Sequence, residues 1–269
     1  MTQMMNKEAR AALLAGLIEG VAQVADFILA ERATFQHTHI EHKGFNDLVS
    51  YVDREAEVRL RQLAERLLPG SGFLGEEGGA THADADYLWI TDPLDGTTNF
   101  IHDIPAYAIS MALHYKGEAV LGVVQDVPRR ETFSAYLGGG AYLNGVRIQV
   151  SGAADLRSAL LATGFPYANS GLLDDYLTVM KAFLEMGHGM RRFGAAAIDL
   201  AWVAAGRLDG YYEMGLQPWD VAAGGLIVTE AGGTVTDFKG TANFVFGRQL
   251  VASNGAIHED MLQVIGQRY

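Results

Sequence analysis

Apolar residues recur at Leu14, Ile18, Val21, Ala25 and Ile28, at spacings of four, three, four and three. That rhythm predicts a long amphipathic helix over 7–33. A second helix is predicted over about 53–68, with Ala56, Leu60, Leu63 and Leu67 on one face and Pro69-Gly70-Ser71-Gly72 ending it. Between them, Lys43-Gly44-Phe45-Asn46-Asp47 reads as a loop or turn. From Tyr87 the period shortens. Residues 87–90, 107–115, 119–124 and 131–136 read as strands, and Asn144-Gly145 is a hairpin turn signal, so the middle of the chain predicts an antiparallel sheet. After Val150 the pattern is mixed. A strand is predicted at Leu160-Leu161-Ala162, and a helix over 172–186 through Leu173, Leu177, Met180 and Leu184. Further helices are predicted at 195–205 and 219–230, the latter capped by Gly232-Gly233, then strands at 234–238 and 249–252 and a last helix at 257–267. No repeat or Pro-rich linker interrupts the chain. Two halves, 1–150 and 151–269, are therefore expected to pack as one compact unit.

Composition narrows the function. The 269 residues, 49% hydrophobic and 19% charged, suit a globular protein. No cysteine is present, which excludes disulfides, thiolate metal sites and cysteine nucleophiles. A net charge of −12 disfavours nucleic acid and anionic membranes as partners. No run approaches eighteen uninterrupted apolar residues, and the opening MTQMMNKEAR lacks the order of a signal peptide. The expected location is cytoplasmic, with no membrane partner.

Candidate chemistry concentrates in Trp89-Ile90-Thr91-Asp92-Pro93-Leu94-Asp95-Gly96-Thr97-Thr98-Asn99-Phe100. A strand delivers the chain to Asp92, and Pro93 cannot continue a ladder, so a turn is expected there. Asp92 and Asp95 lie three apart across it, close enough to share a metal, and hard oxygen donors favour Mg²⁺, Ca²⁺ or Mn²⁺. Gly96 permits close backbone approach, and Thr97-Thr98 can open a helix whose free N–H groups suit phosphate. A turn with two capping aspartates is the plain alternative. Gly75-Glu76-Glu77-Gly78-Gly79 adds two carboxylates, or simply a solvated acidic turn. Asp220, in Trp219-Asp220-Val221, stands where a helix begins and could be its N-cap. Glu213 could face a polyol or cap a strand. Asp53 and Asp47 each read as N-caps. His37, His39 and His42 read as a solvated surface. No P-loop, G-x-S-x-G elbow or H-E-x-x-H pair is found, and Gly138-Gly139-Gly140 lies between strands rather than before a helix.

Together WITDPLDGTTNF at 89–100, WDVAAGGLIVTEAGG at 219–233, GEE at 75–77, NDLVSYVD at 46–53 and YYEMG at 211–215 resemble the inositol monophosphatase family of lithium-sensitive, metal-dependent phosphatases. The resemblance runs from the first helix to about Gly255. It implies an α+β fold, the layered α/β/α/β/α sandwich of inositol monophosphatase and fructose-1,6-bisphosphatase. It also implies Mg²⁺-dependent hydrolysis of a small polyol phosphate, myo-inositol monophosphate first, by a metal-activated water. Glu76, Asp92 and the Leu94 carbonyl would bind one Mg²⁺, and Asp92, Asp95 and Asp220 a second. Lys43 and Glu76 would lie near a weaker third. Gly96 and Thr97 N–H groups would hold phosphate, with Thr98 beside them. Thr97 paired with Asp53, with Glu76, would serve catalysis by activating the water. Asp95, Glu213, Asp220 and Gly194-Ala195-Ala196 would line the substrate pocket. The family usually has threonine after the glycine of that last segment, and this chain has Ala195. Fructose 1,6-bisphosphate, histidinol phosphate and 3′-phosphoadenosine 5′-phosphate are the alternative substrates. A homodimer is implied by analogy. Some bacterial relatives are associated with RNA polymerase and antitermination, which makes an adapter role the rival of a different class.

Overall fold

The computed structural model describes residues 4–35, 40–44, 47–166 and 171–269; for 40–44 and 47–49 the description covers the backbone alone. Along the chain come α1 (Lys7–Thr34), β1 (Ile40–Gly44), β2 (Asp47–Ser50), α2 (Tyr51–Leu67), β3 (Gly72–Gly75), β4 (Gly79–Thr81), β5 (Tyr87–Asp95) and α3 (Thr97–Ile101). Then follow β6 (Ala108–Tyr115), β7 (Glu118–Asp126), β8 (Glu131–Tyr136), β9 (Gly140–Leu143), β10 (Val146–Ile148) and β11 (Leu160–Thr163). The chain ends with α4 (Leu173–Met186), β12 (Gly189–Arg191), α5 (Ala196–Ala204), β13 (Gly210–Met214), α6 (Pro218–Glu230), β14 (Thr234–Thr236), β15 (Gln249–Ser253) and α7 (His258–Ile265).

These elements build five layers. An eight-stranded sheet has the order β10-β9-β8-β7-β6-β5-β3-β4, and a five-stranded sheet the order β12-β11-β13-β15-β14. Helices α1 and α2 cover the outer face of the large sheet, α5 and α6 lie between the sheets, and α4 and α7 cover the small sheet. Strand alternation sorts side chains between the layers. On β5, Trp89 packs with Leu17 and Leu60 under the outer helices, while Ile90 faces α5 and α6. On β13, Tyr211 faces the central layer and Tyr212 the α4–α7 side. The central helices are apolar all round, as burial on every side requires. Gly224 lets them touch, since a Cβ there would lie 2.6 Å from the Leu200 side chain. The order of layers is the α/β/α/β/α sandwich that the resemblance implied.

Three expectations need correction. The helix at 173–186 exists, but Leu173, Leu177 and Leu184 point outward, at 51, 45 and 48% exposure; Tyr176, Val179 and Phe183 form its core face. Helix α1 is weakly amphipathic, because its outer face carries Ala11, Ala12, Ala15 and Ala22 beside Glu19, Gln23 and Asp26. By length and composition it could cross a membrane, yet Leu14, Leu17, Val21 and Ile28 are packed in the core with α2. Third, Pro93 does not end its strand: β5 continues to Asp95 through a bulge. Three steps from Asp92 to Asp95 face two steps from Ser110 to Ala108 on β6. Proline has no N–H for the ladder, and a bulge accommodates that loss while turning the flanking side chains. Asn144-Gly145 does form the β9–β10 turn, both residues having positive φ, and Gly232-Gly233 closes α6 with bonds to Thr229 and Val228.

Candidate active site

The bulge is where the site begins. Asp92 Oδ1 accepts the Leu94 N–H at 2.9 Å, so the carboxylate folds back over the extra residue. Gly96 follows at φ +92°, and a Cβ there would sit 2.8 Å from the Ala106 carbonyl. That left-handed turn starts α3 at Thr97. Opposite Asp92 in the ladder stands Ser110, whose hydroxyl donates to the Trp219 carbonyl at 2.8 Å. This bond draws the start of α6, and hence Asp220, toward Asp92.

Three carboxylates stand at the starts of three different helices. Asp53 is the third residue of α2, not its N-cap; Ser50 is the cap, and Asp53 Oδ2 accepts Ser50 N–H at 3.0 Å and its hydroxyl at 2.6 Å. Asp220 likewise is the third residue of α6, and its Oδ2 accepts Gln217 N–H at 2.7 Å. Helix α5 has Ala195 as N-cap and no capping side chain of its own; Asp95, from the other sheet, supplies one by accepting Ala197 N–H at 2.6 Å. A helix start carries partial positive charge, so each carboxylate is held where anions are favoured. Each also has a second oxygen left for the site. Asp53 uses its Oδ1 to accept the Thr97 hydroxyl at 2.8 Å, and Thr97 Oγ1 also lies 3.0 Å from the Leu94 carbonyl. One hydroxyl hydrogen serves both acceptors.

A further carboxylate, Glu76, sits in the tight β3–β4 turn. Buried Glu57 of α2 holds that turn, accepting the N–H groups of Glu77 at 2.7 Å and Gly78 at 2.8 Å. A Cβ at Gly75 would lie 2.3 Å from Glu57 Oε2, so any side chain there would push Glu57 off the turn it holds.

The charges act on one another. Burial, then the charges of Glu76, Asp95 and Asp220, push the Asp92 carboxyl well above the ordinary range. Burial raises Asp95 to about 7 against the pull of the Ala197 N–H, with Glu213 and Glu76 adding to the rise. Asp220 is raised to about 7 by burial and then by the charge of Asp95, against the pull of the Gln217 N–H. Burial also raises Asp53 despite the Ser50 and Thr97 bonds. Among the described residues no group of three or more Asp, Glu or His side chains stands in metal-holding geometry as it is. The donor set nonetheless fits a hard divalent cation: clustered carboxylates, a backbone carbonyl, no sulfur, and a mutual repulsion that positive charge would relieve.

The substrate side is built differently. Gly194 and Ala195 pack against Gly96, whose Cβ would lie 3.3 Å from both the Gly194 carbonyl and Ala195 Cβ. Buried Asn99 clamps this seam, donating to the carbonyls of Ala106 at 2.7 Å and Phe193 at 2.8 Å. Ala195 and Ala196 are buried, and Thr98 is exposed. Glu213 lies inside β13 rather than at its end, buried on the face toward α5. Burial raises it to about 7 while the Tyr211 hydroxyl pulls it down. Lys43, His42 and Asp47 have side chains outside the described residues, as do His37 and His39 entirely.

Residues 11–268 match the model of the inositol monophosphatase family. The chain belongs to the inositol monophosphatase family. A Pseudomonas aeruginosa protein named Nus factor SuhB is 46% identical over 231 residues, covering 84% of this chain and 85% of that one. An inositol-1-monophosphatase of Mesorhizobium japonicum is 38% identical over 258 residues, 96% of this chain and 97% of its own. The crystal structure of the extragenic suppressor protein suhB from Bartonella henselae superposes with a TM-score of 0.91 at 36% identity, covering 96% of this chain and all of that one. In this family member the sequence reading missed Glu57, the clamp role of Asn99, Tyr211 and Asp199. Tyr211 was findable, since it stands two residues before Glu213 on a strand and so shares its face. Asp199 had a signal too: it is the lone acid in the apolar run 195–204.

Proposed function

We propose that the chain hydrolyses phosphate monoesters of small polyols with Mg²⁺, myo-inositol monophosphate foremost. One observation carries this reading: buried Asp92 stands where Glu76, Asp95 and Asp220 all press their charge on it, beside the Thr97–Asp53 hydrogen bond. Glu76, Asp92 and the Leu94 carbonyl would hold one Mg²⁺, and Asp92, Asp95 and Asp220 a second; Lys43 with Glu76 would attend a weaker third. Bound there, Mg²⁺ would neutralise phosphate charge and make hydroxide accessible near neutral pH. The chain's own residues do the rest. Thr97 directs its hydroxyl hydrogen to Asp53 or to the Leu94 carbonyl, leaving lone pairs to orient the attacking water. The N–H groups of Gly96 and Thr97, with Thr98 beside them, bind phosphate oxygens. Glu213 and the 194–196 seam receive the polyol, and the Asn99 clamp fixes their distance from the phosphate loop.

Phosphate release from myo-inositol 1-phosphate, beside fructose 1,6-bisphosphate, histidinol phosphate and 3′-phosphoadenosine 5′-phosphate, with and without Mg²⁺, tests this. Turnover of the inositol ester that requires Mg²⁺ is expected. Turnover of another ester instead moves the substrate, and no release from any overturns the reading. Inhibition by Li⁺ is expected in the same assay.

Likeness to proteins named Nus factor supports a second, non-catalytic role beside catalysis. Co-purification with RNA polymerase would test it. The outward stripe of Leu173, Leu177 and Leu184 on α4 supports a homodimer, which sedimentation would detect. The reading also takes the halves 1–150 and 151–269 as one packed unit and the location as cytoplasmic.

A further inference from the structure

Glu213 is a buried carboxylate in the middle of a strand, with no helix start to hold it. Its seat is made of side chains. Tyr211, two residues earlier on the same face of β13, donates its hydroxyl to Glu213 Oε2 at 2.5 Å. Gly164, just after β11, closes the other side; a Cβ there would lie 2.0 Å from the carboxylate carbon and from both its oxygens. Asp220, Arg192, Asp95 and Asp199 are the other charged groups that act on it, and Asp199 is 1% exposed with its Oδ1 unpartnered among the described residues. Glu213 Oε1 has no hydrogen-bond partner among the described residues, yet it is not sealed from solvent.

We propose that Tyr211 is a positioning residue for substrate discrimination: by occupying Glu213 Oε2 it leaves Oε1 as the single acceptor offered to a substrate hydroxyl. This rests on the polyol phosphatase reading. Tyr211 is wholly buried and packs in the central core, so its ring is fixed and its hydroxyl cannot follow a Glu213 side chain that turns away. Gly164 limits the turn from the opposite side. A carboxylate so held accepts one hydroxyl in one direction, which separates polyol esters from simple alkyl esters.

The test compares kcat/KM for myo-inositol 1-phosphate with kcat/KM for ethyl phosphate, which has no hydroxyl to recognise. Tyr211→Phe should lower the ratio by about tenfold, the usual worth of a charge-assisted hydrogen bond, mainly through KM of the inositol ester. Gly164→Ala should lower it in the same sense. In a Glu213→Ala background, Tyr211→Phe should change the ratio by less than about twofold, because the tyrosine acts through the glutamate. Equal losses on both esters, an unmoved ratio, or full additivity with Glu213→Ala would overturn the inference. Failure of the unaltered chain to hydrolyse either ester overturns the phosphatase reading instead, and equal hydrolysis of both overturns its polyol part. If Tyr211→Phe does not fold, a crystal structure of the unaltered chain with inositol decides. A ring hydroxyl on Oε1 with Tyr211 on Oε2 supports the proposal; a tyrosine hydroxyl turned away from Glu213 contradicts it.

Discussion

The two sides of the candidate site hold their carboxylates by different means. On the phosphate side, Asp53, Asp95 and Asp220 each give an oxygen to a backbone N–H at the start of α2, α5 or α6. On the polyol side, Glu213 is held by the Tyr211 hydroxyl, and Asp199 Oδ1 has no partner among the described residues. Backbone donors are fixed by the fold, and three helix starts add a field that favours negative charge. The first arrangement suits a site that must keep several like charges together for a cation. The second suits recognition of a neutral ring, where one well-aimed acceptor matters more than total charge.

That contrast places the largest losses on the helix-anchored side. Asp92→Asn and Asp220→Asn should each lower kcat by well over 100-fold, more than is usual for a group one step removed from a metal. Circular dichroism should show the fold retained. Near-normal turnover in either variant at limiting Mg²⁺ would break the comparison. Next in size is Thr97→Val, which removes the hydroxyl between Asp53 and the Leu94 carbonyl while keeping the volume. A loss of about 100-fold in kcat is expected, with Thr97→Ser recovering most of it. A change confined to KM would assign Thr97 to binding instead.

A smaller effect separates the sides by pH. Asp95, Asp220 and Glu213 are raised to about 7 from ordinary values of 3.8 and 4.5. Between those limits the folded chain keeps protons that the unfolded chain has lost. Their contribution to stability is therefore present at low pH and is lost as pH rises through about 7. Buried His114, lowered to about 4, acts in the opposite sense but is spent by about pH 6.5. The EDTA-treated protein should then lose roughly 5 °C of Tm between about pH 6.5 and 8. Mg²⁺ should restore more of it at the higher pH, and a flat profile would show that the carboxylates do not interact as described. The smallest effect concerns Ala195, an N-cap without a capping side chain. Ala195→Ser should stabilise by under about 1 kcal/mol in a denaturant melt, less than an ordinary cap because Asp95 already serves Ala197 N–H.

Much of this was legible in the sequence, unevenly and for physical reasons. The string from Trp89 to Phe100 announced the strand, both aspartates and the following helix, because proline and glycine constrain the backbone locally. The same locality misled at Pro93, where the partner strand turns an expected stop into a bulge. Periodicity found α4 but chose its wrong face, since leucines at helical spacing look alike whether they face Tyr212 or solvent. Asp53 and Asp220 read as N-caps, and each is one turn further in; which end of a capping box a residue occupies depends on its neighbour's hydroxyl or backbone. Asp95 capping α5 across about a hundred residues was beyond any local rule. So was Glu57, whose oxygens hold the Glu76 turn from another element.

The most direct test of the central claim is calorimetric titration of Mg²⁺ into the EDTA-treated chain at pH 7, in two buffers of different ionisation heat, beside Asp220→Asn. Carboxylates raised to about 7 are partly protonated there, so binding must expel protons. The account predicts saturable binding to the unaltered chain, heats that differ between buffers in the sense of proton release, and loss of both in Asp220→Asn. Binding that is equal in the two proteins, or that releases no protons, would contradict it.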